Sequence, residues 1–348
     1  MKKCNTISID LAKSVFQVAI INSYGKILSN KAIPRKRLLA FIAKQKKSRI
    51  VMEACGSSNY WGRLFQELGH EVLLVAAQHV TPFVKGNKND ANDTIAIYEA
   101  SCRPNMRFVS IKSLEQQDIQ SIHRVRQRLV DSRKNLMNHA RGILSEYGII
   151  FNVGASKLRE GLVSVFSGDI PSREVTSTLV ELAKEWYDEF IHLDEEIAYK
   201  DKTIARLARQ SEAASRLMKL EGIGPITATA LVGTFGEKPT EFKKGRDMAA
   251  VLGLTPNQHS SGGKAKLGAI SKRGDKYLRT LLVNGATSVI NALGNKSDPK
   301  SQWLRKLLER KPVNKVRIAL ANKMARIAWA ILAKGETYNP ELACAINQ

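Results

Sequence analysis

The sequence predicts an α/β domain at the N-terminus, then a long helical, coiled-coil-like segment, then a mostly α-helical C-terminal domain. Three observations lead there. Residues 1–112 alternate short β-branched runs with helical ones, residues 113–215 change from a period of two to a helical period, and residues 216–348 join glycine-punctuated helices to dense cations. With 348 residues the chain can build two or three domains of ordinary size.

In the first segment, TISID (6–10) and VFQVAII (15–21) read as strands, NSYG (22–25) as a turn and KILSNKAI (26–33) as a third strand, which makes an antiparallel meander. Pro34 can open a helix. RIVME (49–53) and EVLLV (71–75) read as buried strands with a helix, SNYWGRLFQELG (58–69), between them. A further helix is expected over KNDANDTIAIYEA (88–100), opening after a loop at Gly86.

In the second segment, Leu114, Ile122, Val125, Leu129, Leu136, Ile143 and Tyr147 mark a long helix ending near Gly148. After Pro171, the residues Val175, Leu179, Leu182, Trp186, Phe190, Leu193 and Ile197 alternate threes and fours, and Ile204 and Leu207 continue the stripe. Such a seam fits a hairpin packed on its own core or an arm that dimerises, and both readings stand. Residues 150–170, with several Gly and Ser, read as the connection between the two helices.

Charge separates the same three segments. The whole chain carries 55 Lys+Arg against 32 Asp+Glu, a net of +23, and the excess lies in the first segment (+11) and the last (+14), while the middle is −2. A folded protein of this charge binds polyanions, and nucleic acid is the expected partner. The four cysteines, Cys4, Cys55, Cys102 and Cys344, are scattered, with no pair spaced for zinc and no disulfide framework, which fits a reducing cytoplasm. Asp10 and Lys13 interrupt the apolar run that a signal peptide needs, and no stretch is apolar enough to span a membrane.

Within the basic first segment the few acids can be considered singly. Asp10 ends the first strand and Glu53 ends RIVME, so neighbouring strands would set them side by side at one sheet edge. Asp90 and Asp93, three apart, share a helical face. Taken alone, Asp90 is a helix cap and Asp10 a turn cap. Four carboxylates converging would repel one another unless a cation sat among them, and Mg²⁺, a hard ion that takes oxygen ligands, suits phosphodiester chemistry.

In the last segment, LEGIGPITATALVGTFG (220–236) sets Gly222, Gly224 and Pro225 between two apolar stretches, a helix-hairpin-helix-like pattern whose backbone N–H groups can approach a phosphate. Beyond Ser260-Ser261-Gly262-Gly263 come six cations, Lys264, Lys266, Lys272, Arg273, Lys276 and Arg279, against one acid, Asp275. The interleaved glycines predict a loose loop. Cations can neutralise the oxygens of a phosphodiester attacked by a serine, although no base for that serine is evident and His259 is merely adjacent. Residues 305–335 show an apolar face of Val316, Leu320, Ile327, Ile331 and Leu332 ringed by cations, and Trp329 reads as core.

TISIDLAKSVFQVAI, RIVMEACGSSNYW and KNDANDTIAIYEA resemble the three acidic motifs of the RuvC-like DEDD domain of an insertion-sequence transposase family. The GLTP turn, the Ser-Gly followed by cations and the ISKRGDKYLR helix start resemble that family's C-terminal domain, so the resemblance covers nearly the whole chain. It implies a ribonuclease H-like fold over 1–112, a coiled-coil segment over 113–215 and a serine transposase domain over 216–348. Asp10, Glu53, Asp90 and Asp93 would hold Mg²⁺, and Ser261 would attack the DNA to give a phosphoserine link, with Ser260 as the fallback. The resemblance further implies donor and target DNA as substrates, an element-encoded bridge RNA as guide, and a homo-oligomer with composite active sites. Two other classes compete: a Holliday-junction nuclease using Mg²⁺ without a serine, and a non-catalytic nucleic-acid-binding protein. An actin-like kinase, which also opens on a strand ending in Asp, lacks the further phosphate loops it would need.

Overall fold

The computed structural model describes residues 5–85, 89–170, 175–261 and 264–340. Cys4, Gly86, Pro171, Gly262, Gly263 and Cys344 lie outside that set. The chain forms two compact units, Met1–Leu114 and Glu115–Gln348.

The N-terminal unit is a six-stranded mixed sheet. β1 (Thr6–Asp10), β2 (Val15–Ile21) and β3 (Ile27–Pro34) make the expected meander, and α1 (Arg35–Ala43) starts directly after Pro34. β4 (Arg49–Glu53), α2 (Ser58–Glu67) and β5 (Glu71–Val75) follow, with β4 parallel to both β1 and β5. A short α3 (Ala77–Val80) and a single 3-10 turn lead to α4 (Asp90–Ser101), and β6 (Phe108–Val109) closes the sheet in the order β3-β2-β1-β4-β5-β6. Neither α3 nor β6 is signalled by the sequence, since four and two residues are too few to show a repeating pattern.

Strand alternation decides what each sheet face carries. Ile7, Ile9, Phe16, Val18, Ile50 and Met52 pack with Leu38 and Ile42 of α1 and Trp61 and Phe65 of α2. The alternate residues face the other way, where Val51 and Val75 meet Ala96, Ile97 and Ala100 of α4. Ser8, Asp10 and Glu53 have the same parity as the second set, so they belong to the α4 side.

The second unit opens with α5 (Leu114–Glu146), α6 (Ala155–Phe166) and α7 (Ser177–Gln210). Arg126 pairs with Asp201 and Arg133 with Asp194, and this reversed order shows that α5 and α7 run antiparallel. Their shared core holds Leu129, Leu136, Leu179, Trp186, Phe190 and Leu193. Two expectations change here. Residues 150–170 contain a helix: Leu158, Leu162 and Val165 repeat at helical spacing and are buried, and Gly161 is needed because a Cβ there would meet the Phe151 ring at 2.6 Å. Near the start of α5, Leu114 and Val125 are exposed while His123 is buried, so the inward face there is polar.

α8 (Glu212–Leu217), α9 (Pro225–Phe235), α10 (Gly245–Val251), α11 (Lys276–Asn291), α12 (Pro299–Leu308) and α13 (Val313–Lys334) enclose the last core, interrupted by strands β7 (Pro256–Ser261) and β8 (Lys264–Ile270). The stretch expected to be a loose loop is therefore an antiparallel ribbon, in which backbone pairing overrides the glycine content. The cationic 305–335 stretch breaks at Pro312 into α12 and α13. Val316, Leu320, Ile331 and Leu332 are buried, Ile327 partly, and Trp329 packs on the core with its indole N–H donating to the Phe242 carbonyl at 3.2 Å.

Candidate metal centre and basic ribbon

Asp10 is the last residue of β1 and Glu53 the last of β4. The parallel register pairs Ile9 with Met52, which sets Asp10 and Glu53 one step further on at adjacent strand ends. Asp90 and Asp93 form the first turn of α4, and Asn89 caps that helix by accepting from the Asn92 N–H at 2.8 Å. A helix N-terminus favours negative charge, so the two aspartates sit where the backbone dipole offsets part of their repulsion.

The carboxylate oxygens of Asp10, Asp90 and Asp93 lie within 4.8 Å of one another. Opposite ligands on one Mg²⁺ stand ~4.2 Å apart, so an all-oxygen set of this spread fits a hard divalent ion after small adjustments. Glu53 is half-buried on the same sheet face but lies outside this close triad. A bound ion would then draw on three carboxylates, with Glu53 beside them.

Sequence reasoning overlooked the residues that hold α4 in place. The Ser8 hydroxyl donates to the Thr94 carbonyl at 2.6 Å, and the Asn30 amide donates to the Ala91 carbonyl at 3.2 Å. A signal existed: Ser8 and Gln17 are polar interruptions of otherwise apolar strands, in register with the side that carries Asp10.

In the second unit the predicted residues divide into two groups. Gly222 has φ +85° and is packed inward: a Cβ there would meet the Gly285 carbonyl at 2.8 Å, and a Cβ on Gly285 would meet the Gly222 carbonyl at 2.0 Å. Gly224 caps α9 and has nothing within 4 Å of the position its Cβ would take. Arg279 is occupied within the fold, donating to the carbonyls of Leu252 at 3.0 Å and Arg273 at 3.3 Å. Lys266, Lys272, Arg273 and Lys276 are exposed.

Ser261 ends β7 opposite Lys264, and the side chains of Ser261, His259 and Lys264 are outside the described set. Ser260 is exposed, with its hydroxyl accepting from the Gln258 amide at 2.7 Å. At the ribbon base, Ser271 N–H donates to the Thr255 carbonyl and Lys272 N–H to that of Gly253. Lys272 is held at φ +53°, a left-handed conformation that costs an L-residue about 1–2 kcal/mol. α11 then starts behind Asp275, which accepts from the Leu278 N–H at 3.0 Å.

A polar chain missed by the sequence reading ties three helices of this unit together. His123 on α5 contacts the Tyr277 hydroxyl of α11 through Nδ1 and the Thr229 hydroxyl of α9 through Nε2, each at 2.9 Å. Thr229 donates its own proton to the Pro225 carbonyl at 2.7 Å, so it accepts from His123 Nε2–H, and Nδ1 accepts from Tyr277. Burial, reinforced by the Arg126 charge, lowers the His123 pKa to about 4, while the Asp201 charge on α7 opposes that fall. The imidazole is neutral at physiological pH.

Comparison with known proteins gives the context. Residues 7–149 match a DEDD transposase domain of the IS110 type, and residues 214–303 match the transposase family IS116/IS110/IS902. The chain is 44% identical over 334 residues to a Pseudomonas aeruginosa protein described as "Probable family 20 transposase", covering 96% of this chain and 98% of that one. It is 40% identical over 338 residues to the transposase for insertion sequence element IS1111A of Coxiella burnetii, covering 97% and 92%. It is 36% identical over 340 residues to the transposase for IS1328 of Yersinia enterocolitica, covering 97% and 100%. The DEDD match suggests use of a divalent metal, in keeping with the carboxylate triad. No helix among the described residues is long and apolar enough to cross a membrane.

Proposed function

The chain belongs to the IS116/IS110/IS902 family of transposases, enzymes that cut and rejoin DNA, and on that premise we propose that it moves an insertion sequence by joint metal and serine chemistry. The observation that carries the reading is the convergence of Asp10 with Asp90 and Asp93, 80 or more residues further along the chain, onto one end of a sheet. Carboxylates this close repel one another, and a divalent cation among them would offset that repulsion. Mg²⁺ held by these acids with Glu53 would stabilise the attacking and leaving oxygens of a phosphodiester. The sheet and its helices are read as a ribonuclease H-like fold, with functional divisions at 1–112, 113–215 and 216–348.

Ser261 is the proposed nucleophile. Its Oγ–phosphorus bond forms as the bond to the leaving deoxyribose oxygen breaks, which keeps the phosphodiester energy for rejoining. The exposed Lys266, Lys272, Arg273 and Lys276, joined by Lys264, neutralise the non-bridging oxygens, and the open backbone at Gly224 meets phosphate. Donor and target DNA are selected by pairing with an element-encoded bridge RNA, and the enzyme acts as a homo-oligomer. The net charge of +23 supports backbone binding of both nucleic acids, leaving sequence choice to base pairing.

The test is a denaturing gel of labelled DNA carrying the element ends, incubated with protein, its RNA and Mg²⁺. Wild type is expected to yield DNA covalently joined to protein. Ser261→Ala is expected to lose that adduct and to slow cutting on the order of 10⁶-fold, the scale for removal of a serine nucleophile. Free cut ends from Ser261→Ala at the wild-type rate would establish a water-using nuclease instead.

A further inference from the structure

The face of β1 and β2 that meets α4 should be apolar, yet it carries Ser8, fully buried, and Gln17. Gln17 stands opposite Asp10 in the antiparallel register. Its amide donates to the Asn30 side-chain oxygen at 2.7 Å, and the Asn30 amide nitrogen donates onward to the Ala91 carbonyl at 3.2 Å. The Ser8 hydroxyl reaches the Thr94 carbonyl at 2.6 Å. Ala91 and Thr94 are the residues immediately after Asp90 and Asp93, so the sheet grips α4 at a carbonyl one residue beyond each aspartate. Thr94 tightens the same turn by donating to the Asp90 carbonyl at 2.6 Å.

Packing alone would hold this helix loosely in rotation. The residues of α4 packed on the sheet are Ala96, Ile97 and Ala100, two of them bare methyl groups that give little shape to lock, and apolar contact is non-directional. At a side-chain radius of ~5.5 Å, a rotation of about 10° moves a carboxylate by about 1 Å. Metal–ligand distances tolerate only about 0.2 Å.

We propose that Ser8, Gln17 and Asn30 are positioning residues that set the rotation and height of α4 on the sheet, so that Asp90 and Asp93 meet Asp10 at a spacing one divalent ion can bridge. This rests on the reading of the acids as a metal site. The clamp sets metal affinity without contacting the metal, and Asn30 is its central link because it joins the strand carrying Gln17 to the helix.

The test measures Mn²⁺ binding to the full-length protein from the electron paramagnetic signal of the free ion, together with the Mg²⁺ concentration giving half-maximal DNA cutting. Asn30→Ala is expected to weaken Mn²⁺ binding about tenfold, as loss of an outer-shell partner does, and to raise the half-maximal Mg²⁺ similarly, with cutting restored at high Mg²⁺. Gln17→Ala acts through the same link, so the double variant should bind no more weakly than Asn30→Ala alone. Ser8 grips a different carbonyl, that of Thr94, so the loss in Ser8→Ala should add to either. Wild-type Mn²⁺ affinity in folded Asn30→Ala would overturn the clamp. Should Asn30→Ala fail to fold, Gln17→Ala, half-exposed and linked to α4 through Asn30, decides by the same measure. If wild type and Asp93→Asn bind Mn²⁺ equally weakly, the metal reading itself is lost, an outcome separate from loss of the clamp alone.

Discussion

In the N-terminal unit, polar side chains converge: Ser8, Asp10, Gln17, Asn30, Glu53, Asp90 and Asp93 all belong to the side of one sheet where α4 crosses it. In the C-terminal unit, similar residue types diverge, with Lys266, Lys272, Arg273 and Lys276 directed to the surface while Gly222, Arg279 and His123 serve the interior. A β-strand end projects its last side chains where topology dictates, whereas a helical unit can turn one member of a cationic run outward and tie the next into a neighbouring turn. Acids scattered along the chain but brought by topology to one end of a sheet thus mark a site better than a run of cations whose members point different ways.

Substitutions at paired positions can break that contrast. The largest effect is expected at Gly222, where alanine meets both a left-handed backbone and the Gly285 carbonyl, and the C-terminal unit should lose about 3 kcal/mol. Gly224→Ala, with open space around it, should cost only the cap preference of glycine over alanine, under about 1 kcal/mol, in guanidinium unfolding followed by tryptophan fluorescence. Equal losses at the two glycines would remove the distinction between an inward and an outward member of the turn.

His123 gives an effect of similar size through pH. Its folded-state pKa, about 4, lies below the ordinary 6.5, so the unfolded chain binds the proton more readily. The stabilisation is complete above pH 6.5 and is lost as pH falls toward 4, amounting to about 3 kcal/mol over that window. Denaturation midpoints measured across this range should fall for wild type and fall less steeply for His123→Gln. The same slope in both would mean that other groups govern the acid limb.

A smaller effect separates two neighbours on α11. Arg279→Ala removes charged donors from the Leu252 and Arg273 carbonyls and should cost about 2 kcal/mol. Lys276→Ala should leave stability within about 0.5 kcal/mol and reduce the slope of DNA affinity against log salt by about one. If Arg279→Ala changed the salt slope and not the melting, both cations would belong to the nucleic-acid surface.

The sequence made the strands of the first unit readable because their period-two patterns and turn residues agree with the sheet that forms. The same periodicity located Asp10 and Glu53 at strand ends, and the three-residue interval placed Asp90 and Asp93 on one turn. Nothing local reveals that Asn30 reaches Ala91, because that contact joins residues 61 apart. In the second unit, the glycines and serines around 150–170 and 256–270 suggested loops, yet buried leucines made the first a helix and cross-strand hydrogen bonds made the second a ribbon. His123 was legible only as a polar residue in a helical stripe, since its partners lie 106 and 154 positions away.

The ribbon of β7 and β8 has a mechanical consequence. Among the described residues its strands pair only with each other, and the Ser271 and Lys272 N–H groups, donating to the Thr255 and Gly253 carbonyls, fasten its base. Ser261 stands at the far end of a lever ~17 Å long, since a strand advances ~3.3 Å per residue. A tilt of about 10° at the pivot sweeps the tip through ~3 Å, about the reach of a reacting pair of atoms. Lys272, held left-handed at that base, and Gly253 and Gly274, each too crowded for a Cβ, therefore fix the pivot, and on the proposed serine chemistry that pivot would set the aim of Ser261.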